Sequence, residues 1–453
     1  MNIFDRRVNR HWHKYLSCSG EDAGLLRETF QERFTRSDPR YPEVIYPPPL
    51  FDASFLATIS DSAAQVLAIL ASLPERMFGG NVSKMLDFQC ATETSRCLIG
   101  LYSNSKDLDF ATRFARPDIL VCSTGIKIVE MNVSTALGGL GLCDRVMKEW
   151  KTSRFHDWLL QAGVITGGPP MMARWGAVLR ACVNQPAAGK ALRVLVAFVN
   201  PSEARSPSPT FWDFAAGVNA QGFQVVTGLL QDLSFNGNDV SFEGQSIDVV
   251  YPMFTYAELA KNKVPNKLFE QLRAAVDAGR IDFVGTPATI LFDNKCNLEL
   301  LSAQEYSHHY SAEEWDLLQR VIPRTIRLKE DLIQYAIANQ RGLVLKPASS
   351  FGGDQITIGS EVSAEKWQKT VEQAGKTSCS YVIQEAVSDL FRYPAAVGML
   401  ESTVCVSPML LKGKSAGILL REIDFKSGTP VISYRFGARG GVGFGVDACE
   451  ATL

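Results

Sequence analysis

Glu130 and Asn132 form the most chemically informative pair in this sequence. They are set as Glu-x-Asn near the end of an apolar run, downstream of Arg116 and Asp118, which are set as Arg-x-Asp. Side chains two positions apart on a strand project from the same face, so each pair points one way. Two carboxylates and an amide oxygen are the hard ligands that Mg²⁺ prefers, and an arginine beside them would bind a phosphate. The sequence therefore predicts a magnesium site with Asp118, Glu130 and Asn132 as metal ligands.

The run FARPDILVCSTGIKIVEMN must bring these side chains together, and its pattern predicts a β-hairpin. DILVC and IKIVEMN are the two strands, and Ser-Thr-Gly is the turn. Folding this hairpin would place Asp118 beside Glu130 and Asn132, with Arg116 one pleat away. The alternative that these residues alone leave open is that Glu130 and Asn132 face solvent on an ordinary antiparallel strand.

A second candidate site lies in RGLVLKPASSFGGDQITIG, residues 341–359. An apolar strand ends at Lys346, a loop of small residues follows, and a second strand returns. Glycines let backbone N–H groups approach an anion closely, and a lysine at the base of such a loop is a point charge for phosphate. The loop joins strand to strand, so it fits neither the P-loop nor the Rossmann fingerprint. An ordinary hairpin is the alternative for this segment.

Together these segments resemble the ATP-grasp superfamily, in particular its circularly permuted branch, which includes the synthetase domain of glutathionylspermidine synthetase. In that branch the metal strand precedes the phosphate lysine, as Glu130 precedes Lys346 here. The resemblance covers about residues 108–145 and 280–445. Further matching segments follow in order: LFDNKCNLELLS, VIPRTIRL, VLKPASSFGG, SYVIQEAV and KSAGILLREID. Two departures are that the loop lacks a further glycine and basic residue, and that no proline follows Glu-x-Asn.

The resemblance implies a nucleotide site, with ATP and Mg²⁺ as cofactors. In it Lys295 and Lys346 bind phosphates, and backbone groups of the strand that contains Gln384 read the adenine. The ATP-binding residues that it implies are Lys295, Lys346, Ser349, Ser350, Gly352, Gly353, Gln384, Glu385 and Val387.

Two arginines are implied to be catalytic. Arg116 would stabilise charge on the substrate carboxylate and on the tetrahedral intermediate. Arg421 interrupts an apolar strand, and a buried arginine needs a partner. That partner is a phosphate by resemblance, with Glu422 or Asp424 as the alternative. The glycine-rich stretch 437–445 is interpreted as a mobile loop near the nucleotide.

The activity implied by the resemblance is that of an ATP-dependent carboxylate–amine ligase. A substrate carboxylate would attack the γ-phosphate to give an acyl phosphate, and an amine would then form an amide or peptide bond, with release of ADP and phosphate. The alternatives are an ATP-grasp phosphotransferase and a nucleotide-binding module without catalysis. The implied partners are small acids and amines, such as amino acids or peptides. No Cys-His amidase signature is evident, so a polyamine substrate is not carried over.

Composition excludes several other classes. The chain of 453 residues, 46% of them hydrophobic, can bury a sizeable core, and its formal net charge of −2 gives no sign of a nucleic-acid or membrane partner. The N-terminus lacks the apolar core of a secretory signal, and no apolar stretch approaches the roughly 20 residues that span a bilayer. The ten cysteines include no C-x₂-C pair, so reduced, buried thiols in a cytoplasmic protein are expected. Homo-oligomerisation is left open.

The predicted fold class is α/β (α+β), with a circularly permuted ATP-grasp architecture. The expected divisions are a mostly helical region at 1–105, the metal-binding hairpin with helices at 106–190, a small parallel α/β unit at 191–290, and nucleotide-binding subdomains at 291–453. Alternating buried strands and helices indicate the parallel unit. Within that unit, PSEARSPSP at 201–209 is expected to be a loop at the carboxyl edge of the sheet.

Overall fold

The computed structural model describes residues 7–164, 170–184, 191–237, 239–349, 355–377, 380–394, 401–425 and 431–446. The helices in these ranges are α1 (Arg7–Ser19), α2 (Ala23–Thr35), α3 (Ala53–Phe78), α4 (Val82–Phe88), α5 (Glu93–Leu101), α6 (Ser105–Ala111), α7 (Leu140–Trp150), α8 (Arg154–Gln161), α9 (Met171–Cys182), α10 (Pro201–Arg205), α11 (Pro209–Ala220), α12 (Glu258–Lys261), α13 (Asn266–Asp277), α14 (Ile290–Asp293), α15 (Asn297–Ser302), α16 (Ala312–Val321), α17 (Ile333–Ala338) and α18 (Ala364–Gly375).

The strands form four sheets. They are β1 (Leu50–Asp52), β2 (Phe114–Cys122), β3 (Gly125–Val133), β4 (Arg193–Phe198), β5 (Gln224–Leu229), β6 (Ser234–Asn236), β7 (Asp239–Phe242), β8 (Gln245–Ser246), β9 (Val249–Pro252), β10 (Asp282–Phe283), β11 (Thr325–Arg327), β12 (Leu343–Pro347), β13 (Thr357–Ile358), β14 (Tyr381–Glu385), β15 (Tyr393–Pro394), β16 (Glu401–Leu411), β17 (Lys414–Asp424) and β18 (Arg439–Val446).

The largest sheet has the order β1-β18-β17-β16-β2-β3, with β15 paired to β16. Its neighbours are antiparallel, except that β1 runs parallel to β18. One face packs against α3, where Ile59, Val66 and Leu70 share a buried apolar cluster with Ile119 and Ile128 of the hairpin. Because side chains alternate along a strand, this packing leaves the opposite face of β2 and β3 for polar side chains.

The predicted hairpin is present as β2 and β3, joined by a two-residue turn at Ser123 and Thr124. Strand β2 begins at Phe114, so Arg116 lies inside the strand rather than before it. The register pairs Asp118 with Glu130 and Arg116 with Asn132, and a bulge follows Asp118. The two chemically informative pairs are therefore cross-strand neighbours, as the sequence predicts.

A parallel sheet lies between residues 193 and 283, in the order β10-β9-β4-β5. Helices cover both of its faces, because Phe214 of α11 packs with Val194 of β4 whereas Leu272 of α13 packs with Leu195. The expected loop at 201–209 is wrong in part, since 201–205 is helix α10. Its start is explained by Pro201 in the first turn and by Asn200, whose side chain accepts from the Ser202 N–H.

Strands β11, β14, β12 and β13 form an antiparallel sheet in that order. Its apolar face packs against α17 and α18, with Trp367 fully buried and donating to the Ala336 carbonyl. The predicted strands LVLK, SYVIQEAV and QITIG correspond to β12, β14 and β13. This sheet faces the hairpin side of the largest sheet.

Helix α3 begins at the cap Asp52, which accepts from the Ser54 N–H, and ends at Gly79 in the left-handed conformation. By length and composition it is the one helix among the described residues that could cross a membrane, which corrects the expectation that no stretch is long enough. In this fold its apolar side is instead a core face against the largest sheet.

Two smaller expectations also change. The glycine-rich stretch 437–445 is not a loop, because most of it is strand β18, which pairs with β17 and β1. The eight described cysteines are all free, and five are buried, but Cys18, Cys90 and Cys97 are exposed.

Candidate active site

A cavity of about 480 Å³ separates the hairpin side of the largest sheet from the β11–β14 sheet. One wall carries residues of β2, β3, β16 and β17, and the other carries residues of β12, β13 and the end of β14. Ten predicted site residues or neighbours line it: Arg116, Asp118, Glu130, Asn132, Lys346, Gln384, Glu385, Val387, Cys405 and Arg421. The cavity therefore gathers groups that are far apart in the sequence.

Glu130 forms an ion pair with Lys295, with 2.8 Å between Oε1 and Nζ. Lys295 lies in the turn before α15, where its backbone N–H donates to the Ala348 carbonyl at 2.8 Å. The Lys295 side chain is 3% exposed and lies behind Glu130 rather than on the cavity lining. The structure thus brings Lys295 to the predicted metal site and, through its backbone, to the strand of Lys346.

Asp118 is held by Arg421, with 2.6 Å between Oδ1 and Nη2. The Ser407 hydroxyl donates to the same oxygen at 3.2 Å, and Arg116 Nε lies 3.4 Å from it. Burial raises the pKa of Asp118, but the charges of Arg421 and Arg116 outweigh it and lower that pKa to about 2. Asp118 is therefore an anion throughout the physiological range.

The alternative partners that the sequence suggested for Arg421, Glu422 and Asp424, are wrong, whereas the phosphate partner implied by the resemblance stays a prediction. Glu422 and Asp424 instead pair with Arg439, each with 2.7 Å between the nearest nitrogen and oxygen. Because successive side chains on β17 alternate between faces, Arg421 points to the cavity while Glu422 points away. Arg421 Nε is buried without a hydrogen-bond partner among the described residues, so one donor of this guanidinium is unused.

The donor set of the hairpin fits a hard divalent cation. Among the described residues, Lys295 pairs with Oε1 of Glu130, and Arg421, Arg116 and Ser407 all contact Oδ1 of Asp118. Asn132 donates through Nδ2 to the Arg116 carbonyl at 3.0 Å, which leaves its Oδ1 as an acceptor. Within the described ranges no three His, Cys, Asp or Glu side chains are grouped for a metal, so a cation here would depend on the Asn132 amide.

The opposite wall is organised around Lys346. Its Nζ donates to Gln384 Oε1 at 2.6 Å and, across the cavity, to the Val129 carbonyl of β3 at 3.1 Å. Burial lowers the pKa of Lys346 to about 8, although the nearby charge of Glu130 opposes that shift. Glu385, the last residue of β14, and Val387 just after the strand continue this wall.

Two described residues of the predicted nucleotide site, Lys295 and Ser349, are not on the lining of this cavity, and whereas Lys295 reaches it through Glu130, Ser349 lies elsewhere. It lines a smaller cavity of about 50 Å³ together with Ser134, Asp293 and Asn294. Ser350, Gly352 and Gly353 lie outside the described residues. The nucleotide-binding interpretation of this loop thus stays a prediction.

Several residues of the site were missed by sequence reasoning. Ser407 and Cys405 both accept from Arg421 Nη2 at 3.2 Å, and nothing in their strand sequence marks them. Asp293 accepts from the Val133 N–H at 3.0 Å, and burial raises its pKa to about 7 despite the charge of Lys295. Its place two residues before Lys295, in Asp-Asn-Lys, was the available signal.

The charges of the site favour an anionic ligand. In the buried part of the site four cations, Arg116, Lys295, Lys346 and Arg421, lie around the carboxylates Asp118 and Glu130 and the carboxyl of Asp293, whose pKa burial raises to about 7. The other charged lining residues, Arg341, Glu361 and Glu385, are exposed. An excess of buried positive charge is costly unless an anion compensates it. Together with the hard oxygens on the hairpin, this arrangement can hold a polyphosphate and a divalent cation between the two sheets.

Comparison with solved structures shows the fold. The chain is similar to a glutathione synthetase-like effector from Globodera pallida in its apo form, with a TM-score of 0.56 and 12% identity over 94% of this chain and 98% of that one. Weaker similarities, at 11% and 14% identity, are to a γ-glutamylcysteine synthetase from Methylobacillus flagellatus (TM-score 0.41, 80% and 82% covered) and a D-alanyl-alanine synthetase A from Vibrio cholerae (0.30, 56% and 74%).

The fold is therefore a mixed α/β fold of the ATP-grasp type. No protein-family model and no curated protein matches the chain.

Proposed function

We propose that this protein is an ATP-dependent carboxylate–amine ligase that forms an amide or peptide bond and releases ADP and phosphate. The observation that carries the proposal is the cavity in which Asp118, Glu130 and Asn132 of one sheet face Lys346 of another. The likeness in fold to a protein described as glutathione synthetase-like supports the same reaction class. The acid and the amine are small molecules, such as amino acids or short peptides.

Each residue has a task in the proposed reaction. Lys346 and Lys295 hold phosphate oxygens, while the segment from Gln384 to Val387 borders the adenine. Arg116 and Arg421 lie beside the carboxylates at the reacting end, where they stabilise the attacking carboxylate and the tetrahedral intermediate that collapses to the amide. Positioning and charge stabilisation are most of what phosphoryl transfer asks of a protein.

Asp118, Glu130 and Asn132 are the residues that would hold Mg²⁺, through the oxygens that take no hydrogen bond from described residues. When bound, the metal supplies charge neutralisation of the phosphates. The carboxylates also orient the cationic side chains around them, so they have a role before the metal binds.

The chain order supports a further proposal, that the ATP-grasp fold is circularly permuted here. Strand β3, which carries Glu130 and Asn132, comes before β12, which carries Lys346, and all strands of the parallel sheet lie between them in the sequence. A phosphotransferase that works through a histidine carrier is less well supported, because no histidine is among the residues that line the cavity.

The test is ADP release from Mg²⁺ and ATP with pools of amino acids and small amines. We expect ADP that depends on both an acid and an amine, and a rate lower by about 10²–10³ in Glu130→Ala, the effect typical of losing one key electrostatic group. ADP formation without any amide product would count against a ligase. Failure of the wild-type protein to bind ATP would overturn the whole assignment.

A further inference from the structure

The side chain of Gln384 is buried between Lys346 and the core of the β11–β14 sheet. It is 1% exposed, its Oε1 accepts from Lys346 Nζ at 2.6 Å, and its Nε2 donates to Thr325 Oγ1 at 2.9 Å. The resemblance to known ligases assigns only the backbone around Gln384, to the adenine. The contacts of its side chain point to a different task.

The orientation of the Gln384 carboxamide is fixed by its neighbour. Thr325 is fully buried, and its single hydroxyl proton is donated to the Pro323 carbonyl at 2.9 Å. That hydroxyl can then only accept, so Gln384 must turn its NH₂ toward Thr325 and its oxygen toward Lys346. The backbone N–H of Thr325 in turn binds Ser302 Oγ at 2.9 Å, which anchors the chain of hydrogen bonds to α15.

This chain leaves one donor of Lys346 for a ligand. An ammonium group has three N–H donors. Two are taken by Gln384 and by the Val129 carbonyl, and no other described residue accepts from Lys346. Because both acceptors are neutral, the positive charge of Lys346 is not cancelled by its own hydrogen bonds.

We propose that Gln384 is a positioning residue that orients the Lys346 ammonium toward the phosphates of the nucleotide. Because the Gln384 side chain is a neutral amide, the positive charge of Lys346 stays available to those phosphates. This inference rests on the proposed ATP site, to which it adds the side chain that orients Lys346. A carboxylate at position 384 would have the same shape but would pair with Lys346 and neutralise it.

The experiment measures the affinities of the full-length protein for Mg²⁺ with ATP, ADP or adenosine by calorimetry, for the wild type, Gln384→Met and Gln384→Glu. We expect about a tenfold loss of ATP affinity in both variants, the usual effect of losing a hydrogen bond to a charged group, with adenosine affinity within about twofold of wild type. Thermal unfolding checks that each variant is folded.

The pH profile separates positioning from a purely structural role. Four titratable groups face Lys346 from the surrounding elements: Glu130 and Asp118 of the hairpin, Lys295 before α15 and Cys405 of β16. They are unchanged in the variants. The pH at which ATP affinity falls should therefore move down in Gln384→Met, which removes an acceptor from the ammonium, and up in Gln384→Glu, which adds an anion beside it.

The alternative outcomes are distinct. Equal losses for ATP and adenosine, or wild-type ATP affinity in both variants, would overturn the role of Gln384 and leave the ATP site intact. No ATP binding by the wild type would overturn the proposed function itself. If Gln384→Met does not fold, Thr325→Val is the substitute, because it removes the hydroxyl that holds the carboxamide without changing Gln384. Thr325→Val should weaken ATP binding but not adenosine binding. An ATP affinity equal to that of the wild type would overturn the proposal.

Discussion

Lys295 and Glu130 form an ion pair across the junction between the turn before α15 and strand β3, with 2.8 Å between Nζ and Oε1. The side chains are 3% and 16% exposed, so water screens the pair only weakly. The same lysine is proposed to bind phosphate, and the same carboxylate is proposed to bind metal. A phosphate would therefore compete with Glu130 for Lys295. A metal on the other oxygen of Glu130 would share the charge of that carboxylate with Lys295, so the lysine should weaken metal binding when no nucleotide is present.

Replacement of Lys295 should therefore raise the affinity of the site for a divalent cation when no nucleotide is bound. In Lys295→Met the Glu130 carboxylate loses its cation, so we expect Mn²⁺ affinity in the absence of nucleotide to rise by about tenfold, equivalent to about 1.4 kcal/mol. Electron paramagnetic resonance of free Mn²⁺ measures this directly.

The matched control is Lys346→Met, which also removes a buried lysine near the site. Lys346 donates to an amide and a backbone carbonyl rather than to a carboxylate, so its loss should raise Mn²⁺ affinity far less. Equal Mn²⁺ affinities for Lys295→Met and the wild type would show that the Lys295–Glu130 pair does not restrain the metal site.

The Arg421–Asp118 pair should matter for folding as well. Arg421→Met would leave the buried Asp118 carboxylate with Arg116 as its one cationic neighbour among the described residues, beside the Ser407 hydroxyl, and breaking a buried ion pair typically costs about 3–5 kcal/mol. We expect a loss of that size in the free energy of unfolding, measured by urea denaturation at neutral pH. Adding Asp118→Asn to Arg421→Met should recover part of it, because the uncompensated charge is then gone.

An exposed ion pair provides the control for that prediction. Arg320 and Asp316 lie one turn apart on α16 with side chains 67% and 71% exposed. Arg320→Met should cost less than about 0.5 kcal/mol, since such pairs are solvated. Similar losses for Arg320→Met and Arg421→Met would mean that the Arg421 effect does not come from a buried charge.

Nucleotide affinity should depend on pH through Lys346. Burial lowers the pKa of this lysine to about 8, and only its protonated form attracts phosphate. The affinity for ATP should therefore be greatest below pH 8 and fall as the pH rises through that value. Calorimetry between about pH 6.5 and 9.5 tests this, and Lys346→Arg, whose guanidinium stays charged, should flatten the profile. A wild-type profile that stays flat through pH 9 would contradict the role of Lys346.

The hairpin was predictable because its signals are local. Alternating apolar residues, a short turn and the spacing of Glu130 and Asn132 all lie within one stretch of sequence. The partner of Arg421 was not predictable, because its contact with Asp118 depends on the registers of β2 with β16 and of β16 with β17. Contacts across two strand pairings are not encoded in any local pattern.

The glycines at 437–445 were interpreted as a sign of a loop, but glycine also occurs in strands where another chain segment packs closely. The run at 437–445 suggested a loop, yet a Cβ on Gly440 would lie 2.5 Å from the Tyr434 hydroxyl, and one on Gly441 would lie 2.9 Å from Ile45. These glycines let other chain segments pack closely on a strand. The β7–β8 hairpin, which the sequence analysis did not predict, turns at Glu243 and Gly244. Both residues have positive φ, as a two-residue hairpin turn requires, and the glycine was its signal in the sequence.

Close packing at Gly359, whose neighbours Ile358 and Ser360 line the cavity, should limit substitution there. A Cβ on Gly359, just after β13, would lie 1.8 Å from the Gln340 carbonyl oxygen, which is backbone and cannot rotate away. Gly359→Ala should therefore lower the free energy of unfolding by about 1–3 kcal/mol, the usual cost of overpacking. Gly342→Ala, on the neighbouring turn, meets nothing within 4 Å and should leave stability nearly unchanged. Urea denaturation of both variants compares them, and equal stabilities would show that the turn holding Gly359 can shift to make room.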